Sequence, residues 1–299
     1  MTSNATATSM QAAPWDNATA VGVLTVAASA LALSTAGFFA RLIEVDVWTM
    51  LFWRGVFGGL LILAYIAAQA RGRTRAAFAA IGRAGLLIAG CSAAATICFI
   101  AALRASTVAD VTILFTTAPF FAAAIAWICF REAPHRMTLA ASVLALAGVA
   151  IMFGTVPSGR HAFGNALAVT MTLLMAVVMV TIRRHRHVSM LPAMCLSAFV
   201  CAAAVWPLAR PAGVTGTEFA LLALFGTTQF GLGMLLLTIG SRYISATRAS
   251  LLCNLELPFA PLWVWLAFGE APAAAAWAGG AVVCAAILLD LAAARRPGG

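Results

Sequence analysis

The sequence predicts an all-α integral membrane protein of ten transmembrane helices, arranged as two inverted five-helix repeats around a central cavity. Two observations predict it. Of the 299 residues, 63% are hydrophobic and only 9% are charged, a composition that cannot cover a water-facing surface. The chain also contains itself twice: residues 104–134, slid forward by 138 positions without a gap, land on 242–272. Arg104, Leu114, Phe121, Ala122, Trp127, Phe130, Glu132, Ala133 and Pro134 meet Arg242, Leu252, Phe259, Ala260, Trp265, Phe268, Glu270, Ala271 and Pro272.

Crossing the hydrocarbon takes roughly 20 residues at about 1.5 Å each, and apolar stretches of that order recur along the whole chain. The first is expected at 18–40, after a small, polar, tail-like segment (1–17) with no basic region that would suggest a removable signal peptide. The second, 47–69, carries Arg54 inside it, and the third, 83–103, follows an arginine-rich loop. The fourth, 107–130, ends in Phe-Arg-Glu-Ala-Pro, and the fifth is 137–154. The second half reads 162–182, 190–209, 217–240, 245–268 (ending in Phe-Gly-Glu-Ala-Pro) and 273–291, with a short tail at 292–299. Runs this long without period-2 alternation exclude a barrel, so the spans are helices. The two repeats are expected to occupy 18–157 and 162–291.

The formal net charge of +9 would raise nucleic acid as a partner in a soluble protein, but its distribution answers differently. With the N-terminus inside, thirteen Arg fall in loops or tails on that side and four (Arg41, Arg104, Arg160, Arg210) on the other. By the positive-inside rule both termini are cytoplasmic, in a multi-pass protein of the cell (inner) membrane, with lipid rather than nucleic acid as its surroundings.

Five spans per half is an odd number, so the second half enters the membrane the other way up. Inverted halves can rock about a shared site and expose it to each side in turn, the physical basis of alternating access. The duplication is also compatible with shared ancestry and helix packing alone, as in a passive channel.

Two stretches, 103–132 and 240–270, resemble the pattern of the drug/metabolite transporter superfamily, the ten-span EamA-domain transporters. They share an Ala-Leu-Arg or Ser-Arg start, a Ser/Thr-Ala pair, a mid-span proline and a terminal Glu. Leu146-Ala147-Gly148-Val149 and Gly279-Gly280-Ala281-Val282 also look like that family's glycine-bearing fifth and tenth spans. The resemblance covers nearly the whole chain and implies transport of a small organic metabolite, with amino-acid export a frequent role. One departure stands out: Pro119 superposes on Leu257, and the second copy has Pro258 and Pro261 instead, so a kink there should fall differently.

Superposition pairs Thr112 with Ser250 and Thr116 with Asn254, two polar stripes on equivalent helical faces of spans four and nine. They either line a central cavity or bond helix to helix. Glu256 lies near the middle of span nine, where an unpartnered carboxylate is costly. It is open to three roles: a neutral hydrogen-bonding group, a proton-coupling carboxyl or a substrate contact. Gln229, among Thr227, Thr228, Gly231 and Gly233, suggests that span eight lines the cavity and has a local break or close helix approach. Trp263, with Trp53, Phe99, Phe115, Phe230 and Trp265, offers an apolar wall or simply core or lipid contact. Arg54 is at a depth compatible with Asp110, and is expected to form a structural ion pair with it or to bind an anion.

What the chain lacks narrows the chemistry. It has no lysine, hence no Walker A loop and no retinal Schiff base. All four histidines fall in loops, and the seven cysteines show no metal or CxxC spacing and read as small reduced hydrophobes. No metal, cofactor or catalytic residue is expected. The reading is therefore a secondary carrier of a small neutral or zwitterionic metabolite, amino acids and export favoured, as a monomer or a homodimer. A passive channel and, behind it, a lipid-acting membrane enzyme are the rivals.

Overall fold

A backbone amide in hydrocarbon must find its partner within its own segment or a closed sheet. In the computed structural model, which describes residues 17–115, 117–130, 162–185, 190–244, 249, 252–253 and 255–269, the regular elements among the described residues are helices and include no strand. Span one is α1 (Asn17–Ser34) and α2 (Ala36–Leu42), and span two is α3 (Val47–Ala70). A short α4 (Thr74–Ala79) precedes span three, α5 (Gly82–Ala105), and span four is α6 (Val108–Phe115) with α7 (Ala118–Phe130). In the second half, span six is α8 (Ala162–Arg184) and span seven is α9 (Leu191–Val205). Span eight is α10 (Gly216–Leu224), a π-helical segment (Phe225–Leu232) and α11 (Gly233–Gly240), and span nine includes α12 (Glu256–Phe268). The stretches expected as spans five and ten lie outside the described residues, as do most of both terminal tails.

Five of these helical runs are long and apolar enough to cross a bilayer: Asn17–Leu42, Val47–Ala70, Gly82–Ala105, Ala162–Ile182 and Gly216–Gly240. Span seven is shorter than the expected 190–209: α9 stops at Val205, Trp206 still holds helical φ −46° and ψ −44°, and Pro207, which has no amide to donate, leaves the ladder to go on only as turns through Ala209.

Local chemistry sets the ends. Asp46 starts α3, its Oδ1 accepting from the amides of Trp48 and Thr49 at 3.0 Å each. The net effect on its carboxyl is a downward shift: partial burial raises it, and the hydrogen bonds from Thr49 and Trp48 outweigh that. Thr215 and Glu218 form a reciprocal capping box at the start of α10. Gly269 closes α12 with φ 71°, a left-handed conformation that costs glycine nothing.

The helices pack through small residues. α5 lies against α8 and α9, α3 against α9 and the π segment, and α1 against α11. A Cβ on Gly58 of α3 would stand 2.8 Å from the Gly226 carbonyl oxygen, and one on Gly226 would stand 2.9 Å from the Arg54 carbonyl oxygen. Only glycine lets these two backbones meet so closely. Outward, Leu24, Leu86, Ile128, Phe163 and Leu266 stand exposed. Such a surface suits lipid rather than water.

Candidate substrate cavity

Three spans are interrupted, and the interruptions meet at one cavity. In span one the hydroxyls of Ser34 and Thr35 donate to the carbonyls of Leu31 and Ala32, both at 2.7 Å, competing with the backbone ladder just where α1 gives way to α2. In span four the amide of Thr117 turns back onto the Leu114 carbonyl at 3.1 Å, and α7 restarts at Ala118. In span nine the amide of Leu255 turns back onto the Leu252 carbonyl, also at 3.1 Å, and α12 restarts at Glu256.

The breaks in spans four and nine are the same break at the repeat offset of 138. The next bonds correspond too: Phe121 N to Thr117 O at 3.3 Å, and Phe259 N to Leu255 O at 3.4 Å. This corrects the expectation as far as Pro258 goes: the displaced proline does not move the restart, whereas Pro261, which superposes on Ala123, lies inside α12. The first amides of a helix have no intrahelical partner, so a proline anywhere in that turn is tolerated. Pro119 as second residue of α7 and Pro258 as third residue of α12 therefore mark the same restart.

The cavity is lined by Ser34, Ala36 and Gly37 at the break in span one, and by Phe99 and Leu103 of α5. Val108, Val111 and Phe115 of α6 and Glu256 and Ala260 of α12 complete the wall. About 20 Å³ is open to the centre of a water-sized sphere, room for about one water and not for an organic solute. Among the described residues no three His, Cys, Asp or Glu side chains cluster as metal ligands would.

Behind the wall runs a polar chain. Arg54, 5% exposed, donates from Nε to Gln229 Oε1 at 3.0 Å, and Gln229 Nε2 donates to the Leu33 carbonyl at 3.1 Å. The guanidinium lies 4.6 Å from the Phe230 ring centre and 5.4 Å from that of Phe225, so both rings share its charge. Its electrostatic field also reaches Glu256. Beside Leu33, Trp263 Nε1 donates to Ser34 Oγ at 2.9 Å, tying span nine to span one.

The structure therefore brings together Glu256, Gln229, Arg54 and Trp263, with Glu256 in the wall and the other three bonded to or behind it. It does not pair Arg54 with Asp110. Asp110 instead donates its amide to Thr107 Oγ1 at 3.0 Å, and its Oδ2 lies 3.5 Å from Ser106 Oγ, whose shorter bond is the one it donates to Asn165 Oδ1 at 2.7 Å. Depth alone suggested that pair, but α3 faces α9 and the π segment whereas α6 faces α8 and α12. Thr112 belongs to α6 and Pro119 to α7, while Thr116, Ser250 and Asn254 lie outside the described residues. The expected loosening of span eight takes the form of the π segment, where Thr227 and Thr228 donate to the carbonyls of Ala223 and Leu224. Ser34 escaped the sequence reading. Adjacent hydroxyls inside an apolar span, able to bond carbonyls three residues back, were the available signal.

Apolar helices of membrane-crossing length, interrupted around a small cavity that holds one carboxylate, define a multi-pass membrane transport protein. The chain belongs to the EamA-like transporter family, of the drug/metabolite transporter superfamily, which matches it at residues 20–154 and again at 162–291. No curated protein sequence matches it. A solved crystal structure of a protein shares its fold over 91% of this chain and 93% of the other, with a TM-score of 0.59 at 20% identity.

Proposed function

We propose that the protein is a secondary carrier that moves a small neutral or zwitterionic organic metabolite, most readily an amino acid and in the export direction, by alternating access. The observation that carries the reading is the convergence of symmetry-related helix restarts on one cavity, with Glu256 as the first residue of α12. An ammonium group would donate to a side-chain oxygen of Glu256 and to Ser34 Oγ, contacts that do not require an ionised carboxyl, and an apolar body would meet Phe99, Leu103, Val111 and Phe115. A phosphorylated solute would want several free arginines at this depth, whereas Arg54 is engaged by Gln229 and two rings. The stripe Thr112, Thr116, Ser250 and Asn254 completes the pathway in this reading. Thr116 follows the cavity residue Phe115 in the chain, and Asn254 precedes Glu256 by two positions.

The orientation proposed is both termini cytoplasmic in the inner membrane, from the arginine asymmetry. Reconstituted protein tested against a panel of radiolabelled amino acids should show saturable uptake and counterflow. Flux linear in concentration, without counterflow, would make it a channel and overturn the proposal.

A further inference from the structure

One end of the bundle is held by two arginines that clasp each other's helix ends. Arg41, at the end of α2, donates from Nη1 to the Leu103 carbonyl at 2.7 Å and from Nη2 to the Ser106 carbonyl at 3.1 Å. Arg104, at the end of α5, donates from Nη2 to the carbonyls of Ile43 and Val45 at 2.6 and 2.9 Å. Each guanidinium thus meets carbonyls left over at or just beyond the other's helix end, where helices carry partial negative charge. The clasp adjoins the cavity, since Leu103 both accepts from Arg41 and lines the wall. It is also not a fully satisfied arrangement: Arg104 Nε is buried with no hydrogen-bond partner among the described residues. A buried polar group left in this way offsets part of what the clasp's four hydrogen bonds contribute.

Arg104 is the residue that the repeat places on Arg242. Arg242 lies at the opposite end of span one from the clasp: Gly22, near the start of α1, packs against the Gly240 carbonyl and the Tyr243 side chain. From Gly22 to Arg41 is nineteen helical steps of the sequence, roughly 28 Å along the axis. In the described state Arg242 is exposed, while Arg104 is only partly so. The two equivalent arginines therefore differ in exposure and stand near opposite ends of span one.

We propose that Arg104 and Arg242 are repeat-related latches that close the two ends of the transport pathway in turn. The described state has the Arg104 latch engaged. In the alternate state Arg104 releases the carbonyls of Ile43 and Val45, and Arg242 takes the carbonyls at Arg184 and His185 that end span six, the counterpart of span one. Both act as positioning residues for the transport cycle, without touching the solute. The proposal rests on the carrier reading above.

The test uses the full chain with its seven native cysteines replaced by alanine and one reporter cysteine in the cavity wall, Val111→Cys. Membrane-impermeant thiol reagents are applied to right-side-out and inside-out vesicles. Arg104→Gln should raise labelling from the Arg104 end relative to the Arg242 end by about tenfold, the size expected when hydrogen bonds to a charged group are lost. Arg242→Gln should move the ratio the other way, and the double variant should return it towards the native value. Arg242 is exposed, so its variant tests the proposal even if Arg104→Gln does not fold. Unchanged ratios in Arg242→Gln, or shifts of the same sign in both variants, would overturn the latches. Simultaneous labelling from both ends in the reporter protein without latch substitutions, unaffected by solute, would instead overturn the carrier reading beneath them.

Discussion

Gln229→Met removes the polar bridge behind the cavity while nearly preserving shape. Methionine matches glutamine in length and flexibility, so the packing of the π segment is largely kept. Two hydrogen bonds disappear: the one received from Arg54 Nε at 3.0 Å and the one given to the Leu33 carbonyl at 3.1 Å. A hydrogen bond to a charged group is worth about 1.5–3 kcal/mol and a neutral one about 1 kcal/mol. Arg54 is only 5% exposed, so water cannot readily replace the lost acceptor. The expected loss is therefore about 3–5 kcal/mol, as for other buried charges deprived of a partner. For a chain of this size that corresponds to a fall of roughly 5–10 °C in the melting midpoint. Fluorescence-detected gel filtration after heating, on detergent-solubilised protein, reads this directly. Gln229→Glu keeps the acceptor for Arg54 but not the donor to Leu33, and should melt between the two. A Gln229→Met protein melting within about 2 °C of the native one would refute the account of Arg54 as held by Gln229.

The other predictions concern neighbouring features. Glu256→Gln should keep substantial transport in proteoliposomes while Glu256→Ala loses more, because the amide retains polar contacts in the wall. Accumulation driven by a pH gradient that disappears in the Gln variant alone, with counterflow intact, would show proton coupling instead. Ser34→Ala and Trp263→Phe remove the two sides of one 2.9 Å bond, so a double-mutant cycle on melting should give a coupling of about 1 kcal/mol. Additive single effects would mean that the bond contributes nothing. Asp46→Ala should cost about 1 kcal/mol at neutral pH through loss of the α3 cap. The carboxyl's folded pKa lies below its ordinary 3.8, so its contribution is fully present above pH 3.8 and is lost as pH falls through the lower folded value. Melting curves of the two proteins should accordingly converge in acid, and a gap that widens there would contradict the cap.

Composition, span length and the 138-residue repeat were enough to establish the class of the protein, since lipid leaves the backbone few options and a duplicated odd number of spans must invert. The same reading singled out Glu256, Gln229 and Arg54 among the polar groups inside apolar spans, because burial of such groups in hydrocarbon is costly wherever they point. Helical periodicity, however, says which residues share a face and not which neighbour that face meets. The partner of Arg54 was decided by glycines at 58 and 226, which bring α3 against the π segment and leave α6 to α8 and α12. Tertiary structure also decided where the helices restart, because a proline limits the first turn without choosing its register. The reciprocal hold of Arg41 and Arg104 on each other's helix ends lies beyond sequence as well. Their acceptors are backbone carbonyls about sixty residues away, and a carbonyl looks the same at every position until the fold leaves it without a partner.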